Sequence, residues 1–253
     1  MPRSSKYLLP GYTYHLTQRC HGREHLLRVA QDRNTCLKWL SEGVSRFKVP
    51  VYSYCITNNH IHVLVHVDDT AAVSELMHLV TGATAKRYNV RKDRTGSMWE
   101  HPFHCTAVES GRHLLNCLVY INMNMVRAGA VSHPRDWKWC SHDELIGHRQ
   151  RYLILNRERL IESLGVENIE NLTAWYSESL EQRMAARQMT REAHWSESLA
   201  VGSQPFVTRI SQAHANHRRV FSFAEVPGQS ETMWSVREAP SSYSTILSPK
   251  NKL

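Results

Sequence analysis

Apolar and polar positions in the first 130 residues switch between a period near two and a period near 3.6. GYTYHLTQ, residues 11–18, is β-prone and follows a Pro-Gly break, so it predicts a first strand. QDRNTCLKWLSEGVSRF, 31–47, places Cys36, Leu37, Leu40, Val44 and Phe47 at helical spacing, with Gly43 as a weak point. VYSYCITNNHIHVLVHV reads as two short strands, about 51–56 and 60–66, joined at Thr57-Asn58-Asn59. Asp68-Asp69-Thr70 opens the next helix, with Thr70 as the candidate N-cap. That helix runs over about 71–90 and carries Val73, Leu76, Met77, Val80, Ala83 and Tyr88. RKDRTGSMW is a basic turn, FHCTAVES a fourth strand over 103–110, and a helix from about 111 to 127 ends near Gly129.

The order is β-α-β-β-α-β and then a helix. It predicts an α+β, ferredoxin-like antiparallel sheet with an added helix, the first and third strands being central. After residue 150 the pattern weakens. RERLIESLGV and NLTAWYSESLEQRMAARQMTREAHW read as helical, and VTRISQAHANHRR as amphipathic and basic. From 223 onward the chain is rich in Ser, Pro and Gly and closes on SPKNKL, the composition of a loose tail. The expected division is a domain over 1–150, a mostly helical extension over 151–222 and a flexible tail over 223–253.

An apolar fraction of 42% supports a packed core and excludes global disorder. The net charge of +8 favours a polyanionic partner, and the first sixty residues hold nine Lys/Arg against three Asp/Glu. The six cysteines form no Cys-x-x-Cys pair, and MPRSSKYLLPGY lacks the apolar stretch of a secretion signal. Reduced thiols packed as small core hydrophobes in a cytoplasmic protein are expected. No apolar run reaches the roughly 20 residues needed to span a bilayer.

His60 and His62 lie two apart on the second strand of the 51–66 pair, so they share a face while Ile61 turns away. His66 shares that face about 13 Å beyond His62 by strand rise. Tyr120 and Asn124 lie four apart on a helix and also share a face. Two imidazoles, an amide and a phenol suit metal-assisted attack on a phosphate, here a nucleic-acid phosphate given the charge. Taken alone, each has a plainer reading: half-buried strand histidines, and a core tyrosine on a helix. His15, His21 and His25 are expected along a DNA path or simply exposed, and Trp99 as a packing anchor.

Four blocks occur in order: YHLTQRCHGREHLL, SYCITNNHIHVLV, RTGSMWEHPF and YINMNMVRAGAVSHPRDWKWCSHDEL. Together they resemble the REP-associated tyrosine transposases, a branch of the IS200-like, single-tyrosine HUH transposases. The resemblance covers about residues 8–150, and WSESLAVGSQPFVTRI resembles the C-terminal segment of longer members more loosely. It implies His60 and His62 as paired metal ligands, Asn124 as third ligand or orienting amide, and Tyr120 as nucleophile. A site of two imidazoles and one amide oxygen suits Mg²⁺ or Mn²⁺. The resemblance further implies nicking and rejoining of single-stranded or hairpin (REP-like) DNA through a 5′-phosphotyrosyl bond, by a monomer or weak homodimer at the nucleoid. A domesticated hairpin-binding protein is the alternative. Arg19, Arg23, Lys86, Arg87, Arg91, Lys92, Arg94 and Arg127 are the expected phosphate contacts. The chain departs from the family at Met125, where proline is usual, at Cys140, where serine is usual, and at Glu100-His101, where arginine follows the tryptophan. None of these removes a chemical group.

Overall fold

In the computed structural model the described residues are 8–239 except 101, 150, 152, 188, 216–218 and 228–231. His101 and the closing SPKNKL therefore lie outside the described residues. The elements run β1 (Tyr12–Arg19), α1 (Ala30–Phe47), β2 (Val51–Ile56), β3 (His60–Val67), α2 (Thr70–Arg91), β4 (His104–Val108) and α3 (Arg112–Asn122). Then come α4 (Asn124–Arg127), α5 (His142–Leu145), α6 (Arg157–Leu164), α7 (Ile169–Ala185), α8 (His194–Glu197), β5 (Ala200–Gly202), α9 (Gln204–His214), β6 (Phe221–Val226) and β7 (Met233–Glu238).

The first four strands pair as expected. β1 lies antiparallel between β3 and β4, and β2 flanks β3. The Thr57-Asn58-Asn59 turn is closed by the Thr57 hydroxyl, which accepts from the Asn59 and His60 amides at 3.3 and 3.0 Å. Residues in register share a face. Thr17 faces His62, Arg19 faces His60 and Thr13 faces His66, so β1 and β3 present one polar face. The alternate positions Tyr14, Leu16, Ile61, Val63 and Val65 are fully buried on the other face. Gly43 has a packing reason: a Cβ there would lie 2.5 Å from Leu76 Cδ1, so the glycine lets α1 and α2 touch.

Two local expectations change. Asp69, not Thr70, caps α2: its backbone is extended and its carboxylate accepts from the Ala71 amide at 2.8 Å, while Thr70 is already helical. The helix expected over 111–127 is interrupted at Met123, where ψ is 0°, and resumes for one turn as α4. Methionine at 125 allows that turn, where proline would remove a donor.

The larger difference lies in the extension. The sheet has seven strands in the order β2-β3-β1-β4-β5-β7-β6. β5 joins β4 in parallel and β7 antiparallel, so the sheet runs on without a break. Residues 221–226 and 233–238, expected in or beside a loose tail, form a hairpin on the far edge. The extension is therefore helix and strand. Gly202 fixes its junction: a Cβ there would lie 2.7 Å from Glu109 Cβ and from Phe206 Cδ1.

On the polar face, α3 is pegged to β2 through Asn122. Its Nδ2 donates to Ser53 Oγ at 3.3 Å, and Ser141 donates to its Oδ1 at 3.1 Å. The Arg33 guanidinium lies 4.7 and 3.8 Å from the rings of Trp137 and Trp139, which meet edge to face, and so ties the 137–141 segment to α1. All six cysteines are free and buried. Among the described residues no helix is long and apolar enough to cross a membrane.

Candidate active site

β3 delivers His60 and His62 to the polar face with ring centroids 4.5 Å apart, and α3 and α4 lie over them. Asn124 Nδ2 is 2.9 Å from His62 Nε2. The Tyr120 ring centroid is 6.2 Å from that of His62. The four residues singled out in the sequence thus meet in one place, although the kink at Met123 separates Tyr120 from Asn124.

Two residues that sequence reasoning did not place there complete the cluster. His15, expected near a DNA path or exposed, is fully buried. Its Nε2 lies 2.8 Å from His62 Nδ1, and its Nδ1 lies 2.7 Å from the Trp195 carbonyl oxygen. The Trp195 ring centroid stands 6.2 Å from that of Tyr120. The strand register held the signal for His15: in a ferredoxin-like sheet it sits on the same face as His62, one pair further along. Trp195 carries no local signal, because α8 reaches the site only through tertiary packing.

The electrostatics follow from enclosure. Burial pushes His15 down to about 4. It drives His60 down to about 3, with the Arg19 charge adding to the effect. His62 falls well below the ordinary histidine range for the same reason, with the neighbouring His60 adding. Neutral imidazoles are what a metal requires. Burial raises the Tyr120 phenol, and Arg127 opposes this. The Arg127 guanidinium lies 4.0 Å over the Tyr120 ring and donates to the Tyr120 carbonyl at 2.8 Å.

His60 Nδ1 lies 2.7 Å from Asn59 Oδ1 and 2.9 Å from Thr57 Oγ1. The Asn59 oxygen can only accept, so Nδ1 carries the proton and Nε2 keeps its lone pair. The donor set is therefore two imidazole nitrogens and a carboxamide able to present its oxygen, which fits a hard divalent ion with water and phosphate completing the shell. Among the described residues no group of three or more His, Cys, Asp and Glu side chains could hold a metal.

The basic residues fall into two groups. Lys86, Arg87 and Lys92 are exposed at the end of α2, and Arg23 is exposed in the turn after β1. This end of the sheet is the His60 end, since the Cys20 amide donates to Asn59 O and Asn59 Nδ2 to Arg23 O. Arg91 is committed to Asp32, with Nε 3.1 Å from Oδ1, and Arg94 to the Ser97 carbonyl. Arg127 serves Tyr120. Arg19 borders a cavity of about 660 Å³ that lies between β1, β4 and the extension and is also lined by Gln18, His104 and Arg191. Trp99 is a packing anchor, its indole donating to the Thr81 carbonyl at 2.9 Å. His66 sits against Thr13 at 3.3 Å, away from the cluster. His21 and His25 are exposed.

Residues 9–124 match the family model described as "Transposase IS200 like". The N-terminal part of this chain, from β1 to the start of α4, is therefore similar to the IS200-like transposases. A solved structure described as "Structure of the REP associates tyrosine transposase bound to a REP hairpin" is similar over 57% of this chain and 83% of that one, at 17% identity and a TM-score of 0.45. No curated protein matches the chain.

Proposed function

We propose that the chain is a metal-dependent tyrosine transposase that nicks and rejoins single-stranded hairpin DNA, residues 1–150 forming its catalytic unit. The observation that carries this reading is the convergence of His60, His62, Asn124 and Tyr120 from three separate elements. In the IS200-like domain that convergence gives a phosphate-activating set beside a nucleophile. A divalent ion such as Mg²⁺ or Mn²⁺ held by His60, His62 and Asn124 would polarise the scissile phosphate and neutralise charge in the transition state.

The chain's own groups do the rest. The Tyr120 oxygen attacks phosphorus and gives up its proton. The bond from phosphorus to the 3′ oxygen breaks, and that oxygen leaves as a hydroxyl after taking a proton. The product is a 5′-phosphotyrosyl link, which a second 3′-hydroxyl can reverse without an external energy source. Arg127 over the ring favours the phenolate that attack requires. Lys86, Arg87, Lys92 and Arg23 offer a positive surface at the His60 end for the DNA backbone, and Arg19 reaches the same end from β1. Arg91 and Arg94 supply charge there while tied to protein partners.

One observation favours a second reading, a hairpin-binding protein that does not cleave. Tyr120 is only 2% exposed, with Trp195 against it. Under the first reading, DNA entry turns the Trp195 ring away from Tyr120 while the Trp195 carbonyl stays on His15. Incubation of the full chain with a labelled hairpin bearing a single-stranded flank tests the choice. Cleavage with Mg²⁺ or Mn²⁺ that stops in EDTA is expected, and tight binding with no cleavage in any divalent ion selects the second reading.

A further inference from the structure

Hydrogen-bond direction in the cluster is fixed from one end. The Trp195 carbonyl can only accept, so His15 Nδ1, 2.7 Å away, carries the proton. A neutral imidazole has one proton, which leaves His15 Nε2 as an acceptor. Its neighbour at 2.8 Å is His62 Nδ1, which must therefore donate. The two rings meet edge to edge: they are within 21° of coplanar, with centroids 4.9 Å apart, too far for a face-to-face stack and right for an in-plane N–H···N bond. His62 Nε2 is then left with its lone pair, facing Asn124 at 2.9 Å. Every bond in the chain from Trp195 to Asn124 has one consistent direction.

We infer that His15 is a positioning residue that transmits the Trp195 carbonyl to His62 and holds His62 in the tautomer whose Nε2 is free to ligate. The inference rests on the metal reading of His60 and His62 given above. Its consequence is that the metal site is finished from outside residues 9–124: the anchoring carbonyl belongs to α8 in the extension. Trp195 is itself held, its indole donating to Glu192 Oε2 at 2.9 Å while Glu192 Oε1 pairs with Arg183 of α7 at 2.7 Å. A metal-ligating histidine whose second nitrogen is held by a partner binds more tightly, and loss of such a partner weakens metal affinity by about 10–100-fold.

Two measurements on the full chain test this. Imidazole ¹⁵N NMR of the metal-free protein at neutral pH reads the tautomers directly; His15 and His62 should both carry the proton on Nδ1. A proton on Nε2 of His62 overturns the inference, and this readout needs no metal and no cleavage. The second measurement is Mn²⁺ titration followed by electron paramagnetic resonance. His15→Phe fills the space but accepts nothing, and should weaken Mn²⁺ binding by about tenfold or more. His15→Gln, whose Oε1 can accept from His62, should stay within about threefold of the parent. Unchanged affinity in a folded His15→Phe protein, or a His15→Gln protein as weak as His15→Phe, overturns the inference. If His15→Phe does not fold, the parent tautomers and the His15→Gln affinity decide. The expected tautomers with no Mn²⁺ binding by the parent protein would sink the metal reading and this inference with it, whereas wrong tautomers sink this inference alone.

Discussion

The sheet has two halves that were built by different rules. β2, β3, β1 and β4 are five to eight residues long, pair antiparallel, and show their alternation openly in the sequence. β5 is three residues long and joins β4 in parallel, and β7 and β6 follow after a helix. The first half carries His15, His60 and His62. The second half brings the Trp195 carbonyl and ring that close over them. The IS200-like match ends at 124, yet the hydrogen-bonded cluster does not. The family match therefore stops short of the residue whose carbonyl holds His15.

Breaking the first half should have the largest effect. His62→Ala removes a ligand and should abolish nicking while leaving hairpin affinity in low salt within a few-fold, because phosphate contacts carry binding. A gel-based cleavage assay beside a binding titration checks this; retained cleavage would contradict the ligand role. Breaking the second half should act on stability. Trp195→Ala opens a cavity at a fully buried position and should destabilise by about 3–5 kcal/mol. Denaturant unfolding should remain one transition if the sheet unfolds as a unit. Two resolved transitions would show that the halves are separable.

Acid should expose a weakness on the α5 side of the first half. His142 is buried against the Tyr176 hydroxyl at 2.9 Å, and burial, with His133 adding, pushes it from 6.5 down to about 4. The unfolded chain therefore binds a proton between pH 6.5 and 4 that the folded chain refuses. Stability is full above that window and falls as pH drops through it, by about 3 kcal/mol in order of magnitude for this group. His142→Gln should flatten the pH dependence of the melting temperature in that window; an unchanged slope would remove His142 as a cause. The smallest effect is expected at the junction of the halves. Gly202→Ala forces a Cβ against Glu109 and Phe206 and should destabilise by about 1–3 kcal/mol without changing Mn²⁺ affinity. A neutral result would mean that β5 can shift.

The legibility of the two halves differed for the same physical reason. The β-α-β-β-α-β order was readable because each element carries its own period, and His60, His62, Tyr120 and Asn124 because strand and helix spacing put each pair on one face. His15 needed the pairing of β1 with β3, a non-local fact. Asp69 displaced Thr70 as cap because its backbone, not only its side chain, suits the position. The β6–β7 hairpin hid behind a Ser- and Pro-rich composition, since edge strands carry a half-exposed pattern that resembles a tail. Arg127, expected as a phosphate contact, lies over the Tyr120 ring and donates to its carbonyl, a placement that helix spacing alone did not suggest.

The most direct measurement is a trapped adduct. The full chain is incubated with a labelled single-stranded hairpin and a divalent ion, denatured, digested and mapped by mass spectrometry. The oligonucleotide should be joined through its 5′ phosphate to the Tyr120 peptide, and Tyr120→Phe, folded and still binding the hairpin, should give no adduct. An adduct on another tyrosine, or cleavage undiminished in Tyr120→Phe, would contradict the account.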